Sequence, residues 1–401
     1  MRIAIWWEQA LWGGADTHLL TLLRNWPDKN DQFVIFYNSG NQGMKRISAE
    51  LDQLSQVILV SFPDPTSFLP ATLTKITRYF SLPLRFLVMK WKAQRLLIHQ
   101  ETFDVLFCDN GGYPGAWGSL AALWAGAALG IHTRLLLVHH SATARGPLRH
   151  SFETLLDLGV QYWATDLVAV SRATRATLIE RRGFYTEMNP IRVIHNGVDP
   201  PTEIETLTVD LRVHLAIPAD SLVVGMVGRL ERYKGQEDLI LALGELPPEK
   251  LARVVAVFVG GGEPAERERL QAMAQKIGVA SQVRFSGYME GNISTLMRQF
   301  DLLAMLTKDF EGFGLTIAEA MWAGTPVLTT TVGAVPEFVS QEIAIMVQPE
   351  APDEIAEALM QIMDSDEEAQ QRASRARQHI RKYSGQAMAQ NFHRLLLVSG
   401  N

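Results

Sequence analysis

The chain has 401 residues, enough for two domains of ordinary size each with its own core, and 47% of them are hydrophobic, as in a globular protein. A formal net charge of −6 argues against a general nucleic-acid binder. Cys108 is the single cysteine, so no intrachain disulfide can form, which fits a reducing compartment and a cytoplasmic protein.

Met1-Arg2-Ile3-Ala4-Ile5-Trp6-Trp7-Glu8 is too short and too lightly basic for a signal peptide and reads as a first strand. Further apolar runs at Gln32–Tyr37, Val57–Val60, Val105–Cys108, Arg134–Val138, Leu167–Val170 and Ile191–Ile194 alternate with helix-length amphipathic stretches. That alternation is what parallel βαβ units produce. A second series follows at Leu222–Val227, Val254–Val259, Val283–Ser286, Leu302–Met305, Val327–Thr330 and Ala344–Val347. The expected fold class is α/β with two doubly wound halves: residues 1–200, residues 201–380, and a final helix over 381–401. The boundary lies at Asp199-Pro200-Pro201, because consecutive prolines continue neither a ladder nor a helix. Tyr113 to Ile131 carries no formal charge but is rich in Gly and Ala and lies between two strands, so it reads as a buried helix rather than a membrane span. No low-complexity segment or short repeat is evident.

Candidate chemistry sits after the strands, where open α/β sheets bind ligands. In the first half, Gly13-Gly14-Ala15-Asp16 follows Trp12 and opens a helix, so Gly14 allows close approach to a phosphate or marks only a tight turn. His139 and His140 end a strand, and because adjacent side chains diverge, at most one faces a ligand; taken alone, the pair reads rather as structural or surface residues. Arg145 and Arg149 meet either an acceptor or solvent. In the second half, Arg229 and Lys234 either neutralise a diphosphate or belong to a solvated loop. Gly260-Gly261-Gly262 either shapes a pocket or is a flexible loop, and Gly287-Tyr288 offers backbone and a ring to a base. Glu311 and Glu319 lie eight residues apart around Gly312-Phe313-Gly314-Leu315, where bare backbone precedes a helix. Carboxylates there accept hydrogen bonds from sugar hydroxyls, or merely favour helix N-terminal turns. Asp364-Ser365-Asp366 matches a metal-binding Asp-x-Asp pattern, but Ser365 with Glu368 reads better as a helix capping box.

Ser171-Arg172-Ala173-Thr174, Ile194-His195-Asn196-Gly197-Val198-Asp199, Gly228-Arg229-Leu230, Lys234-Gly235, the Glu311/Glu319 pair and Gly333 to Glu337 together resemble the retaining, GT-B-fold enzymes of glycosyltransferase family 4 in order and spacing. The resemblance is most specific from about residue 165 to 340. It implies two Rossmann-like domains across a cleft, the first for the acceptor and the second for a nucleotide sugar, with the last helix returning to the first domain and acting with the linker as a hinge. It assigns Arg229 and Lys234 to the donor diphosphate, Glu319 to the ribose and Glu311 to the transferred sugar. Gly312, Phe313, Gly314 and Leu315 would lie along sugar or phosphate, with Gly14 approaching from the first domain. The cleft histidine maps onto His139 or His140, His139 being preferred. Where many relatives carry Glu, this chain has Asp16. The resemblance further implies transfer with retained configuration and no obligatory metal or other cofactor, by front-face attack or, less favoured, through a covalent adduct on Glu311.

On the acceptor side, residues 74–99 interleave Lys75, Arg78, Arg85, Lys90, Lys92 and Arg95 with Tyr79, Phe80, Phe86 and Trp91, interrupted by Pro83. Such a stretch lies either on an anionic membrane surface, reaching a lipid-linked acceptor, or in an ordinary exposed helix pair. A sugar-nucleotide epimerase and a non-catalytic binding scaffold are the rival readings.

Overall fold

The computed structural model describes residues 1–9, 13–41, 43–63, 82–185, 187, 189–200, 209–289 and 293–400. Trp12, most of the expected linker and Lys75, Arg78, Tyr79 and Phe80 of the basic stretch lie outside the described residues. The chain divides into two units, Met1–Gly197 with Gly385–Asn401, and Val198–Ser384. These limits compare with expected boundaries at residues 200 and 380.

The first unit holds seven strands, β1 (Arg2–Trp7), β2 (Gln32–Asn38), β3 (Val57–Phe62), β4 (Val105–Asn110), β5 (Thr133–Val138), β6 (Asp166–Ala169) and β7 (Ile191–Val193). They are parallel, in the order β3-β2-β1-β4-β5-β6-β7. The second unit repeats the scheme with β8 (Leu222–Val227), β9 (Val254–Val259), β10 (Val283–Gly287), β11 (Leu302–Met305), β12 (Val327–Thr330) and β13 (Ile345–Val347), ordered β10-β9-β8-β11-β12-β13. Central strands such as β4 and β9 are buried throughout, which is why their sequences are continuous apolar runs rather than alternating ones. Strand order reverses between β1 and β4 and again between β8 and β11. Such switch points leave a crevice at the carboxyl ends of the strands.

The apolar stretch after β4 forms the helix Trp117–Ala128, buried along Gly118, Ala121, Ala122, Ala125 and Gly126. Its small residues are needed for close packing: a Cβ on Gly126 would lie 2.4 Å from Leu106 Cδ2. Among the described residues no helix is long and apolar enough to cross a membrane.

Two sequence readings change. Arg145 is not directed at an acceptor: its Nε donates to Asp157 at 2.8 Å, within a buried network in which Tyr113 Oη (2.7 Å) and Arg182 Nη2 (2.8 Å) also donate to Asp157. Arg182, wholly buried, reaches Glu153 as well, at 2.7 Å. A buried cation of this kind needs paired carboxylates to offset its desolvation. Ser365 caps the helix Asp366–His379 without a side-chain hydrogen bond, and Glu368 binds Arg372 at 2.7 Å instead, so the capping box does not form. Asp364 is ion-paired to Lys250, and the Asp366 side chain lies outside the described residues.

The helix Gly385–Ser399 belongs to the first unit, where Phe392 packs on Phe107 and His18 and Ser399 Oγ donates to Asp166.

Candidate active site

In the second unit the loops after β8 and β11, neighbouring strands at the switch point, are laced together by backbone. Lys308 N donates to Tyr233 O at 2.7 Å, and Gly235, at φ 78°, packs so closely on Leu306 that a Cβ would lie 2.0 Å from its carbonyl oxygen. Only glycine fits a left-handed backbone under that contact. The short turn Arg232–Lys234 just before it therefore delivers Lys234 to the β11 loop, where Nζ lies 3.0 Å from Glu311 Oε2. Thr307 Oγ1 donates to the same oxygen at 3.3 Å.

The Glu311 backbone is fixed from behind by the loop after β12. Ala334 N donates to Glu311 O at 2.9 Å, and a Cβ on Gly333 would lie 2.3 Å from that oxygen. Gly314, at φ 98°, then turns the chain into the helix Leu315–Ala323. Glu319 falls beyond the first turn of this helix and is only 9% exposed. Among the described residues its carboxylate has no hydrogen-bond partner, and burial pushes its pKa up to about 8. A helix-dipole role does not explain this, since an acid serving the helix end would gain its partners there. A buried acceptor without a donor is uncommon in folded proteins, which makes Glu319 a candidate for hydrogen bonds from a ligand.

Other sequence candidates sort differently. Arg229 is 54% exposed and lies 3.3 Å from Glu231, while its carbonyl accepts from Gln236 Nε2 at 3.0 Å. It follows β8 but does not join the Lys234–Glu311 pair. The Phe313 side chain is core, stacked on Phe338 at 4.7 Å between centroids, and is not itself a ligand-facing group. Gly312 is buried beside it and Leu315 half-buried. Gly287 ends β10 at φ 71° with its carbonyl bound to Gly260 N at 2.9 Å, and Tyr288 stands exposed after it. Gly260 and Gly262 serve close packing: a Cβ on Gly260 would lie 1.9 Å from Gly228 O and one on Gly262 2.7 Å from Leu230 Cβ, whereas Gly261 faces open space.

In the first unit His139, at the end of β5, is nearly buried and its Nε2 lies 2.7 Å from Asp109 Oδ2, at the end of neighbouring β4. The buried His18 ring meets His139 edge-on at 4.7 Å, and burial, with His139 beside it, lowers the His18 pKa well below the ordinary value. His140 turns the other way, to Ser141 Oγ at 3.2 Å. Gly14 is exposed at the start of the helix Gly14–Arg24. Asp16 closes that turn, accepting from Gly13 N at 2.9 Å and Trp7 Nε1 at 3.3 Å. Its pKa is raised to about 6, chiefly by burial. Thr307, Asp109 and His18 escaped the sequence reading, which had only the rule that residues after strands line the site to find the first two.

Two Rossmann-like sheets, each with its polar residues gathered past the strand ends, define a protein of the GT-B type. Residues 210–379 match the family described as glycosyl transferases group 1, and residues 12–201 match glycosyltransferase family 4. The chain belongs to this family of glycosyltransferases. The D-inositol 3-phosphate glycosyltransferase of Corynebacterium jeikeium is 33% identical over 222 residues, 53% of each chain. Uncharacterized glycosyltransferase MJ1607 of Methanocaldococcus jannaschii is 30% identical over 201 residues, 49% of this chain and 50% of its own. The matched region thus spans about half the length of these curated relatives. Among solved structures, HepE of Anabaena in complex with UDP-glucose superposes with a TM-score of 0.73 at 22% identity, covering 99% of this chain and 100% of that one. Sucrose-phosphate synthase of Thermosynechococcus elongatus gives 0.72 at 18%, covering 99% and 98%. At these identities the likeness is one of fold.

Proposed function

We propose that the chain is a retaining glycosyltransferase that moves a sugar from a nucleotide-sugar donor to a hydroxyl of a glycan, glycolipid or lipid-linked acceptor, and that it does so without a metal. The observation that carries this reading is Lys234 held on Glu311 by glycine-locked loops, with the buried, partnerless Glu319 on the helix that follows.

Each residue then has a task. Glu319 accepts the ribose hydroxyls, which supply the hydrogen bonds it lacks. Arg229 and Lys234 bind the diphosphate, whose charge grows as the bond from the anomeric carbon to the phosphate oxygen breaks. Cations fixed there favour the transition state over the ground state and take the part a metal plays elsewhere. Glu311 accepts from the transferred sugar, aided by the backbone of Gly312 to Leu315. The acceptor oxygen bonds to the anomeric carbon on the face the phosphate leaves, and its proton passes to the departing phosphate oxygen. Attack by Glu311 itself is disfavoured, because Lys234 and Thr307 hold one of its oxygens. On the first unit, His139 serves the sugar with Asp109 fixing its ring, and Gly14 approaches the donor.

UDP-glucose, bound in the HepE structure, makes UDP-sugars the first donors to try, and the inositol phosphate relatives favour a phosphorylated acceptor. The helix Leu82–Ile98 exposes Leu84, Leu87, Val88, Trp91 and Ile98 on one face, which supports contact with a membrane surface from the cytoplasmic side.

The test is donor turnover with and without an added pool of candidate acceptors, with the product's anomeric configuration read by NMR. Acceptor-dependent turnover with retained configuration is expected. Release of a free, epimerised sugar without acceptor would move the assignment to an epimerase.

A further inference from the structure

The first unit contains a cavity of about 310 Å³ that no role assigned above uses. This lies at the lower end of the volumes of small-molecule sites, about 300–1,000 Å³. Trp6, Phe62, Met89 and Leu96 supply apolar wall, and Lys92, Arg95 and His99 supply a basic side. Met89, Lys92, Leu96 and His99 succeed each other at three- and four-residue steps, so one flank of the helix Leu82–Ile98 and its end presents them together. Phe86, Met89, Ala93 and Leu97 turn that helix's inner face to the core, while the exposed stripe through Leu84, Leu87, Val88 and Trp91 lies on the opposite face.

The lining says what belongs in the cavity. Trp6, 4% exposed, stacks on Phe62 at 4.7 Å, so two aromatic rings close one side with apolar surface suited to a hydrocarbon chain. The basic side is complementary to an anion, and Arg95 is steadied there by its guanidinium lying 4.1 Å from the centre of the Trp91 ring.

We propose that the cavity binds the hydrocarbon chain of a long-chain phosphate, with Lys92, Arg95 and His99 receiving the phosphate. That this lipid is the acceptor rests on the reading given under Proposed function, whereas the binding itself does not. The exposed apolar stripe beside the cavity brings the helix to the surface from which such a chain is drawn.

The experiment is calorimetric titration of the intact protein with octyl, decyl and dodecyl phosphate below their micelle concentrations, against dodecanol and inorganic phosphate. The expected result is one chain per protein. Affinity should rise about fourfold per added methylene, the equivalent of about 0.8 kcal/mol, with dodecanol at least tenfold weaker and inorganic phosphate silent. Leu96→Trp, which fills the cavity, and the surface pair Lys92→Glu/Arg95→Glu should each abolish binding. Thermal stabilisation by a nucleotide sugar, measured on every variant, shows that it is folded and tests the donor reading separately. Equal binding of all the phosphates, or unchanged binding to Leu96→Trp, overturns the proposal. So does sedimentation with phosphatidylglycerol vesicles by a protein that ignores soluble dodecyl phosphate, which would leave surface contact without a chain site.

Discussion

Glu319 joins two conflicting demands: burial disfavours its charge, and accepting a hydroxyl's hydrogen bond favours it. Its carboxyl has a pKa of about 8 in the folded chain against an ordinary 4.5, so the native state holds a proton that the unfolded chain releases. Stability associated with this group is therefore complete below about pH 4.5 and is lost as pH rises towards 8, by up to about 1.4 kcal/mol per unit. Glu319→Gln removes that loss, so its melting temperature should exceed the parent's at pH 8–9 and match it near pH 5. Hydroxyl donors favour the ionised form, so donor binding should release a proton and tighten as pH rises from 6 to 8. In the Gln variant both the binding and its pH dependence should fade, as titrations at several pH values would show. A flat stability difference across that range would mean Glu319 already has a partner. Lys234→Ala should lower kcat about a hundredfold or more and weaken donor binding as well, since its cation meets the bound diphosphate and acts most on the charge that develops there.

At the scale of elements, the loops past the strand ends carry the geometry, and their glycines are positional. Gly235→Ala places a Cβ against Leu306 O on a left-handed backbone, so the β8 and β11 loops must part. Thermal or chemical unfolding should record a loss of about 2 kcal/mol or more, and donor binding should fall with it because Lys234 shifts. The strands were legible in the sequence: each of the apolar runs expected to be a strand is one, with ends displaced by a residue or two, because parallel strands buried on both faces have no polar alternation to confuse them. Non-local pairing was not legible. Nothing near Arg145 announces Asp157, nothing near His139 announces Asp109 thirty residues earlier, and Lys234 meets Glu311 across 77 residues. The Phe313 side chain packs on Phe338 in the core, a pairing across 25 residues that its own neighbours do not announce, while the sequence reading concerned its backbone alone.

For the whole molecule, the same architecture occurs twice in one chain, and the sequence showed this through two successive series of apolar runs. The second unit carries Lys234, Glu311 and Glu319, the residues to which we assign the nucleotide sugar. The first carries the His139–Asp109 pair and the basic-sided cavity, which no pattern of spacing revealed because its walls come from β1, β3 and the helix Leu82–Ile98. The central claim, that the chain binds a nucleotide sugar through Lys234 and Glu319 without a metal, is tested most directly by thermal shift of the purified protein against UDP-, GDP- and ADP-sugars, with and without chelator, alongside Lys234→Ala and Glu319→Gln. The account predicts stabilisation by one donor class, unchanged by chelator and lost in both variants. Stabilisation that vanishes with chelator or survives both substitutions, or no response to any donor, would contradict it.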